Sequence, residues 1–415
     1  MASRQFPVRP DLDQLRHQAK DLLRAIRRRD ESAVADLRAH HPREIEPPAA
    51  RLADAQLALA RSYGLPNWPR LVLACRMTDA IWRGDVDAVR ELVTRHPRLL
   101  HDSARGVKSS WGPPMSYAAN LGQDRIIEML RRLGATDLVH AFDRACLQGK
   151  VETARRLVEM GARPVAGSVM GPCETLNAAG LALLFELGAE LADEGGDRLA
   201  PVALLLETYC RDPRGKHECL ELVARRGIAL PDTPTMAVHR GRIDLLEEHL
   251  RREPGLLVRT FAHEEIYPPA LGCHADRSLA LHGTPLAGTT LLHLCVDCDE
   301  LDIARWLLER GADVNARAEV GADGFGGHTA LFGCVVSQPF RVGLRADDAF
   351  ARLLLDQGAD PDARASLRKR LRFVADESMH EYRDVTPLSW GARFHDRTWV
   401  SEPVVRLLAE RGARA

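Results

Sequence analysis

The first strong pattern along the chain is an apolar stripe at helical spacing. In PDLDQLRHQAKDLLRAIRRRD, the residues Leu12, Leu15, Ala19, Leu22, Leu23 and Ile26 share one face, which predicts an amphipathic helix starting near Asp11. Weaker versions of the pattern predict helices over 30–39, 51–63 and 66–77, so residues 1–78 read as a helical segment. Beyond residue 79 the pattern becomes short apolar helices in pairs, punctuated by glycine. A glycine followed by alanine closes the second helix at Gly134, Gly161, Gly188, Gly311, Gly358 and Gly412, and Gly227 is followed by isoleucine. The residue after a helix end often takes a left-handed conformation, which glycine adopts at little cost. Twelve residues upstream of three of these, Gly122, Gly149 and Gly215 fall where the two helices of a unit are expected to part. Gly84 and Gly241 mark two more units, which close with HPRLL and EPGLL, giving nine helix-turn-helix units in all.

Composition narrows the class. The chain has 415 residues, is 45% hydrophobic and 28% charged, and carries a formal net charge of −1 from 57 basic and 58 acidic residues. That balance argues against a nucleic-acid or membrane-surface binder. The N-terminal MASRQFPVRPDLDQ lacks the apolar core of a signal peptide, and no run reaches the roughly 18 apolar residues of a membrane span. Nine irregularly spaced cysteines do not suggest a disulfide framework, so a reducing cytoplasm is expected. Lysine occurs only at Lys20, Lys108, Lys150, Lys216 and Lys369, an arginine bias that points to a GC-rich, bacterial coding sequence.

The stretch TTLLHLCVDCDELDIARWLLERGADVN, Thr289 to Asn315, raises the main chemical question. His293, Cys295, Asp297 and Cys298 could hold a metal or form a redox pair. The same residues fit a packing role. A closed zinc site needs four ligands, commonly from two spaced pairs, and no second CxxC exists in the chain. The stretch resembles the ankyrin repeat: Thr290, Leu292 and His293 take its opening positions, and Gly311-Ala312-Asp313-Val314-Asn315 takes its close. The resemblance covers residues 79–415, closely at 289–315 and 353–362 and loosely at 165–230. It implies an all-α fold, a curved ankyrin-repeat solenoid of about nine units. Residues 1–78 would cap the first unit, 79–258 would be compact repeats, and 259–415 repeats with long fingers. It also implies that His293 is structural and that the protein is a scaffold for another protein, with no cofactor or metal.

The fingers are the least uniform part. The closing positions Glu253, Gly311, Gly358 and Gly412 lie 58, 47 and 54 residues apart, against about 33 in the family. The excess falls at 259–288, 317–328 and 363–384, and stacking of successive units makes these three fingers neighbours. They carry charged, histidine and aromatic side chains instead of linker residues, and such loops on rigid scaffolds tend to hold binding residues. The candidates are His263, Glu264, Tyr267, His274, Asp276, Arg277 and His282 in the first finger. The second adds Asp323, Phe325 and His328, and the third Arg368, Lys369, His380 and Tyr382. Tyr267, Phe325, Arg368 and Tyr382 read as exposed anchors for a partner. A small-molecule or enzymatic site is the alternative, and it requires His274, Asp276, His328 and His380 to converge on one pocket. Their spacing matches no HxxxH or HxH template, and DGFGGH lacks a phosphate-loop lysine, which favours a loop tip. LRKRLR reads as a basic helical turn or two.

Overall fold

The computed structural model of the chain describes residues 4–275, 282–337, 347–371 and 376–414. Asp276 and Arg277 lie outside the described residues. The chain divides into two compact units, residues 1–165 and 166–415.

The first unit opens with α1 (Leu12–Arg27), α2 (Glu31–His40) and α3 (Leu52–Ser62), then continues through α4 (Trp68–Trp82) and α5 (Val86–Arg95), α6 (Pro114–Leu121) and α7 (Asp124–Arg132), and α8 (Leu138–Leu147) and α9 (Val151–Glu159). Side-chain caps set several starts: Asp11 accepts from the Gln14 amide, Asp30 from Ala33, Asn67 from Arg70 and Asp85 from Ala88. Of the α1 face expected to be buried, Leu15, Ala19 and Ile26 are buried and Leu12, Leu22 and Leu23 are half-buried. Leu15 packs with Phe6, Ala60, Leu65 and Leu71, and Ile26 packs with Ala33, Leu37, Ala55 and Ala58. The first cluster reaches α4 through Leu71, Ala74 and Cys75, while the second ties α1 to α2 and α3.

The second unit pairs α10 (Met170–Thr175) with α11 (Ala178–Glu186), α12 (Ala200–Glu207) with α13 (Pro213–Arg225), and α14 (Pro234–His239) with α15 (Ile243–Arg252). After the short α16 (His263–Ile266) come α17 (Leu291–Cys298) with α18 (Leu301–Glu309) and α19 (Ala330–Val335) with α20 (Ala349–Asp356). The strands β1 (Ala365–Arg370) and β2 (Met379–Val385) then precede α21 (Pro387–Arg393) and α22 (Glu402–Glu410). Among the described residues this makes nine helix pairs across the two units. First helices stack on first helices, as in α17 on α14 and α19, and second helices on second helices, as in α11 on α13. The closing glycines all have positive φ, and a Cβ at any of them would meet nothing within 4 Å, so backbone conformation and not space selects glycine there.

Two expectations are corrected. Gly215 does not separate helices. It sits in the first turn of α13, where a Cβ would come 2.2 Å from the Leu176 carbonyl oxygen, and the helices part instead at 208–212. The first four residues of LRKRLR, Leu367 to Arg370, are not helical. They supply most of β1, paired antiparallel with β2 through Leu367–Tyr382, Arg368–Glu381 and Lys369–His380. Ala365, Leu367 and Lys369 face inward while Ser366, Arg368 and Arg370 face outward, the alternation of a half-buried strand. Among the described residues the array is therefore helical with one two-stranded sheet.

Candidate functional site

The three fingers are joined backbone to backbone. Within the first, Phe261 and Thr289 form an antiparallel bridge. The Glu319 amide of the second finger donates to the Gly288 carbonyl at 2.8 Å. Gly326 bridges the second finger to β1 of the third: its amide donates to the Ser366 carbonyl at 2.7 Å, and the Ser366 amide returns a bond of 3.3 Å. Side chains reinforce the joint. Arg368 pairs with Asp323, and the Phe325 ring lies between the guanidiniums of Arg368 at 4.2 Å and Arg383 at 4.3 Å. A groove of about 400 Å³ runs along the seam, lined by His263, Glu319, Val320, Asp323, Phe325, His328 and Arg368, among others.

The candidate residues divide into groups. His263, Asp323, Phe325, His328 and Arg368 meet in that groove. Glu264 lines a neighbouring groove of about 470 Å³ with Asp232, Glu265 and Arg259. Tyr267 is no exposed anchor: it is 1% exposed, and its ring packs against those of His239, His263 and His282. Tyr382 is also buried; its hydroxyl meets His395 Nδ1 at 2.6 Å, beside a stacked pair of His380 and His395 rings 3.8 Å apart. Lys369 is buried, with Nζ 5.9 Å from the Trp399 ring centroid. His274 Nδ1 donates to Glu207 at 2.7 Å, outside the groove. His274, His328 and His380 therefore belong to three separate surroundings, and the pocket they were expected to share does not form.

Beneath the first finger lies a buried polar cluster in which His282, Asp297 and Lys369, named from the sequence, meet Arg211, Lys216 and His239, which carried no sequence signal as site residues. Asp297, at the end of α17, accepts from His282 Nδ1 at 2.6 Å and from Arg211 Nη2 at 3.0 Å, while Arg211 Nε donates to the Asp297 carbonyl at 2.7 Å. Lys216 Nζ donates to His239 Nδ1 at 2.8 Å and lies 3.8 Å from Cys298 Sγ. His239 Nε2 donates to the Ile266 carbonyl at 2.9 Å. Burial lowers His282 to about 4 despite Asp297, and lowers Lys369 to about 8 with Asp297 opposing. Burial, with Lys216 adding, holds His239 well below the usual histidine range. The cluster was legible only in part. Of five lysines in this arginine-biased chain, Lys20, Lys108 and Lys150 are exposed, whereas Lys216 and Lys369 are buried here.

His293, Cys295, Asp297 and Cys298 are all buried along α17. His293 Nε2 donates to the His328 carbonyl at 3.1 Å, which leaves Nδ1 to accept from the Thr290 hydroxyl at 2.9 Å. Burial raises the Cys295 and Cys298 thiols above the ordinary range. Among the described residues no cluster of three or more metal-ligating side chains forms.

Acid stability follows from the same burial. His282 and His293 are held down to about 4 and His328 to about 3, whereas an unfolded histidine titrates near 6.5. Acidification therefore protonates the unfolded state first. The contribution is intact above pH 6.5 and is lost as pH falls from there through about 4. The melting temperature should drop between pH 7.5 and 5; an unchanged value would contradict the buried, neutral assignment.

Stacked helix pairs joined at their turns and finger seams define a repeat protein. A family profile for the ankyrin repeat matches residues 287–319, which span the close of the first finger, α17, α18 and the start of the second finger. Residues 287–319 thus match an ankyrin repeat, a module that generally mediates protein–protein interaction. Among solved structures the chain is similar to the ankyrin repeat domain of human ASB11. The identity is 19%, the match covers 73% of this chain and 99% of that one, and the TM-score is 0.26. No curated protein matches the sequence. Among the described residues no helix is long and apolar enough to cross a membrane.

Proposed function

We propose that the protein is a cytoplasmic scaffold that captures a partner protein through its concave surface and lengthened fingers, centred on the groove at the finger seam. The observation that carries this reading is the Phe325 ring held between Arg368 and Arg383 at the groove, a rigid aromatic–guanidinium surface of the type enriched in binding hot spots. Several adjacent repeats supply enough surface for an interface on the order of 1,600 Å². Phe325→Ala combined with Arg368→Ala should remove from affinity capture those proteins that the unaltered chain retains, while circular dichroism stays unchanged. Retention of the same proteins by the double variant would reject the reading.

A second reading, a small-molecule or enzymatic site, is supported by the cluster at Asp297. Asp297 fixes the His282 tautomer, so Nε2 carries a lone pair, and among the described residues that buried atom has no hydrogen-bond partner. A His–carboxylate pair with a bare Nε2 is suited to accept a proton. Native mass spectrometry of the purified protein would then find a co-purifying small molecule that His282→Ala releases; an unloaded wild-type protein counts against this reading.

A further inference from the structure

Among the described residues β2 pairs along one edge only. Ser366 turns its amide and carbonyl to Gly326, on the side of β1 away from β2. Backbone direction alternates along a strand, so Leu367 and Lys369 turn toward β2, opposite Tyr382 and His380. The amides and carbonyls of Glu381 and Arg383 therefore face the far edge of β2. Consistent with that alternation, the Asp384 amide points back and donates to Ser366 Oγ at 3.2 Å. The far edge is open to solvent, with Met379, Glu381, Arg383 and Asp384 all exposed.

An open strand edge is a template for another strand, and the order of charges along β2 specifies which one. Read antiparallel to itself about Tyr382, MHEYRDV sets Glu381 opposite Arg383 of a second copy and His380 opposite Asp384. The backbone agrees, because Glu381 and Arg383 both face the open edge and can exchange amide-to-carbonyl bonds as a pair. The two adjacent registers that keep those groups facing each other centre on residue 381 or 383. They set Glu381 against Glu381, or Arg383 against Arg383. Opposite charges across a strand pair stabilise and like charges destabilise, so charge selects the register about Tyr382. Each group also has a neighbour in its own chain: Glu381 meets Arg383 at 3.1 Å, Asp384 meets Arg364 at 2.7 Å and His380 meets Asp376 at 2.9 Å. None of these pairs is buried, and selection comes from the order of the signs, not from a surplus of either.

We propose that two copies of this chain dimerise by antiparallel pairing of their β2 strands, which makes a four-stranded sheet in the order β1, β2, β2, β1 about a twofold axis. The inference goes beyond the scaffold reading and does not rest on it. Asp384, with a φ of +49°, ends the regular run, so the pairing is short and the dimer is a weak, concentration-dependent one. Because β1 is bridged to Gly326, the dimer carries two finger seams in one assembly, and a partner with two matching sites gains avidity.

Sedimentation velocity of the full chain, from low to high micromolar concentration, should move from the mass of one chain to that of two, and added salt should favour the single chain. Glu381→Arg sets arginine against Arg383, and Arg383→Glu sets glutamate against Glu381. Each should weaken the dimer about tenfold or more. A mixture of the two variants restores opposite charges at every position and should form a heterodimer. Hydrogen exchange on the unaltered protein keeps the test independent of how the variants fold: the Glu381 and Arg383 amides should be protected at high concentration and exchange freely at low. A chain that stays single at every concentration, or a dimer in which those two amides stay unprotected, would overturn the inference. So would folded single variants that dimerise as well as the unaltered chain, or that fail to associate when mixed.

Discussion

Asp297→Ala should destabilise the second unit by about 3–5 kcal/mol, the cost of breaking a buried ion pair by removing one partner. Asp297 and Arg211 are 4% and 9% exposed, and the carboxylate holds Arg211 Nη2 at 3.0 Å and His282 Nδ1 at 2.6 Å. Alanine leaves the guanidinium buried with no carboxylate, against the carbonyls of Asp297, Thr208 and Cys210 and with His282 Nδ1 at 3.4 Å from Nη2. It also removes the acceptor that fixes the His282 ring. Arg211→Met should cost a similar amount. The double variant should cost markedly less than the sum of the two, because the second substitution removes the group that the first left uncompensated. Urea denaturation of the four proteins reads the cycle; additive losses, or a loss below about 1 kcal/mol for Asp297→Ala, would show that the pair is not coupled as described.

The second large effect is expected at Gly326. Its φ of +124° lies in a region that residues with a side chain rarely adopt, and a Cβ there would come 2.0 Å from the Glu319 carbonyl oxygen. Gly326→Ala cannot be accommodated without moving backbone, at a cost of about 1–3 kcal/mol or more. The bridge to Ser366 should break, separating the second finger from β1. Helix pairs contact mainly their neighbours, so the stack should survive and the loss should remain local. Gly324→Ala is the control: φ is +79° but nothing lies within 4 Å, so it should cost only the conformational term, roughly 1 kcal/mol. Thermal melting and binding through the groove should separate the two variants. Equal behaviour would mean that the close approach at Gly326 is not what joins the fingers.

Local signals made much of the fold legible. The stripe in α1, the capping aspartates and the closing glycines each state their structural reason within a few residues. The site was less accessible, because its determinants are contacts between distant segments. The proximity of the fingers could be reasoned from stacking, but which side chains turn into the seam could not. Tyr267 and Phe325 look alike as aromatics in charged loops, yet one is sealed under histidine rings and the other is clasped at a groove. Arg211 and Asp297 stand 86 positions apart, and nothing in the repeat pattern around Asp297 points to Arg211. The β1 strand was readable in principle: Ala365, Leu367 and Leu371 alternate with polar residues, but Lys369 occupies an inward position and masks the period. A lysine on the buried face, in a chain that otherwise uses arginine, was the clue to both the strand and the cluster.

The claim on which the binding proposals depend is that the three fingers pair edge to edge along one seam. Residue-resolved hydrogen exchange tests it directly at the amides of Gly288, Glu319, Gly326 and Ser366, which donate to Phe261, Gly288, Ser366 and Gly326 respectively. All four should be protected in the unaltered protein, and Gly326→Ala should release Gly326 and Ser366 while leaving Gly288 protected. Exchange of all four at the rate of an unstructured peptide would contradict the seam and remove the basis for placing the binding site there.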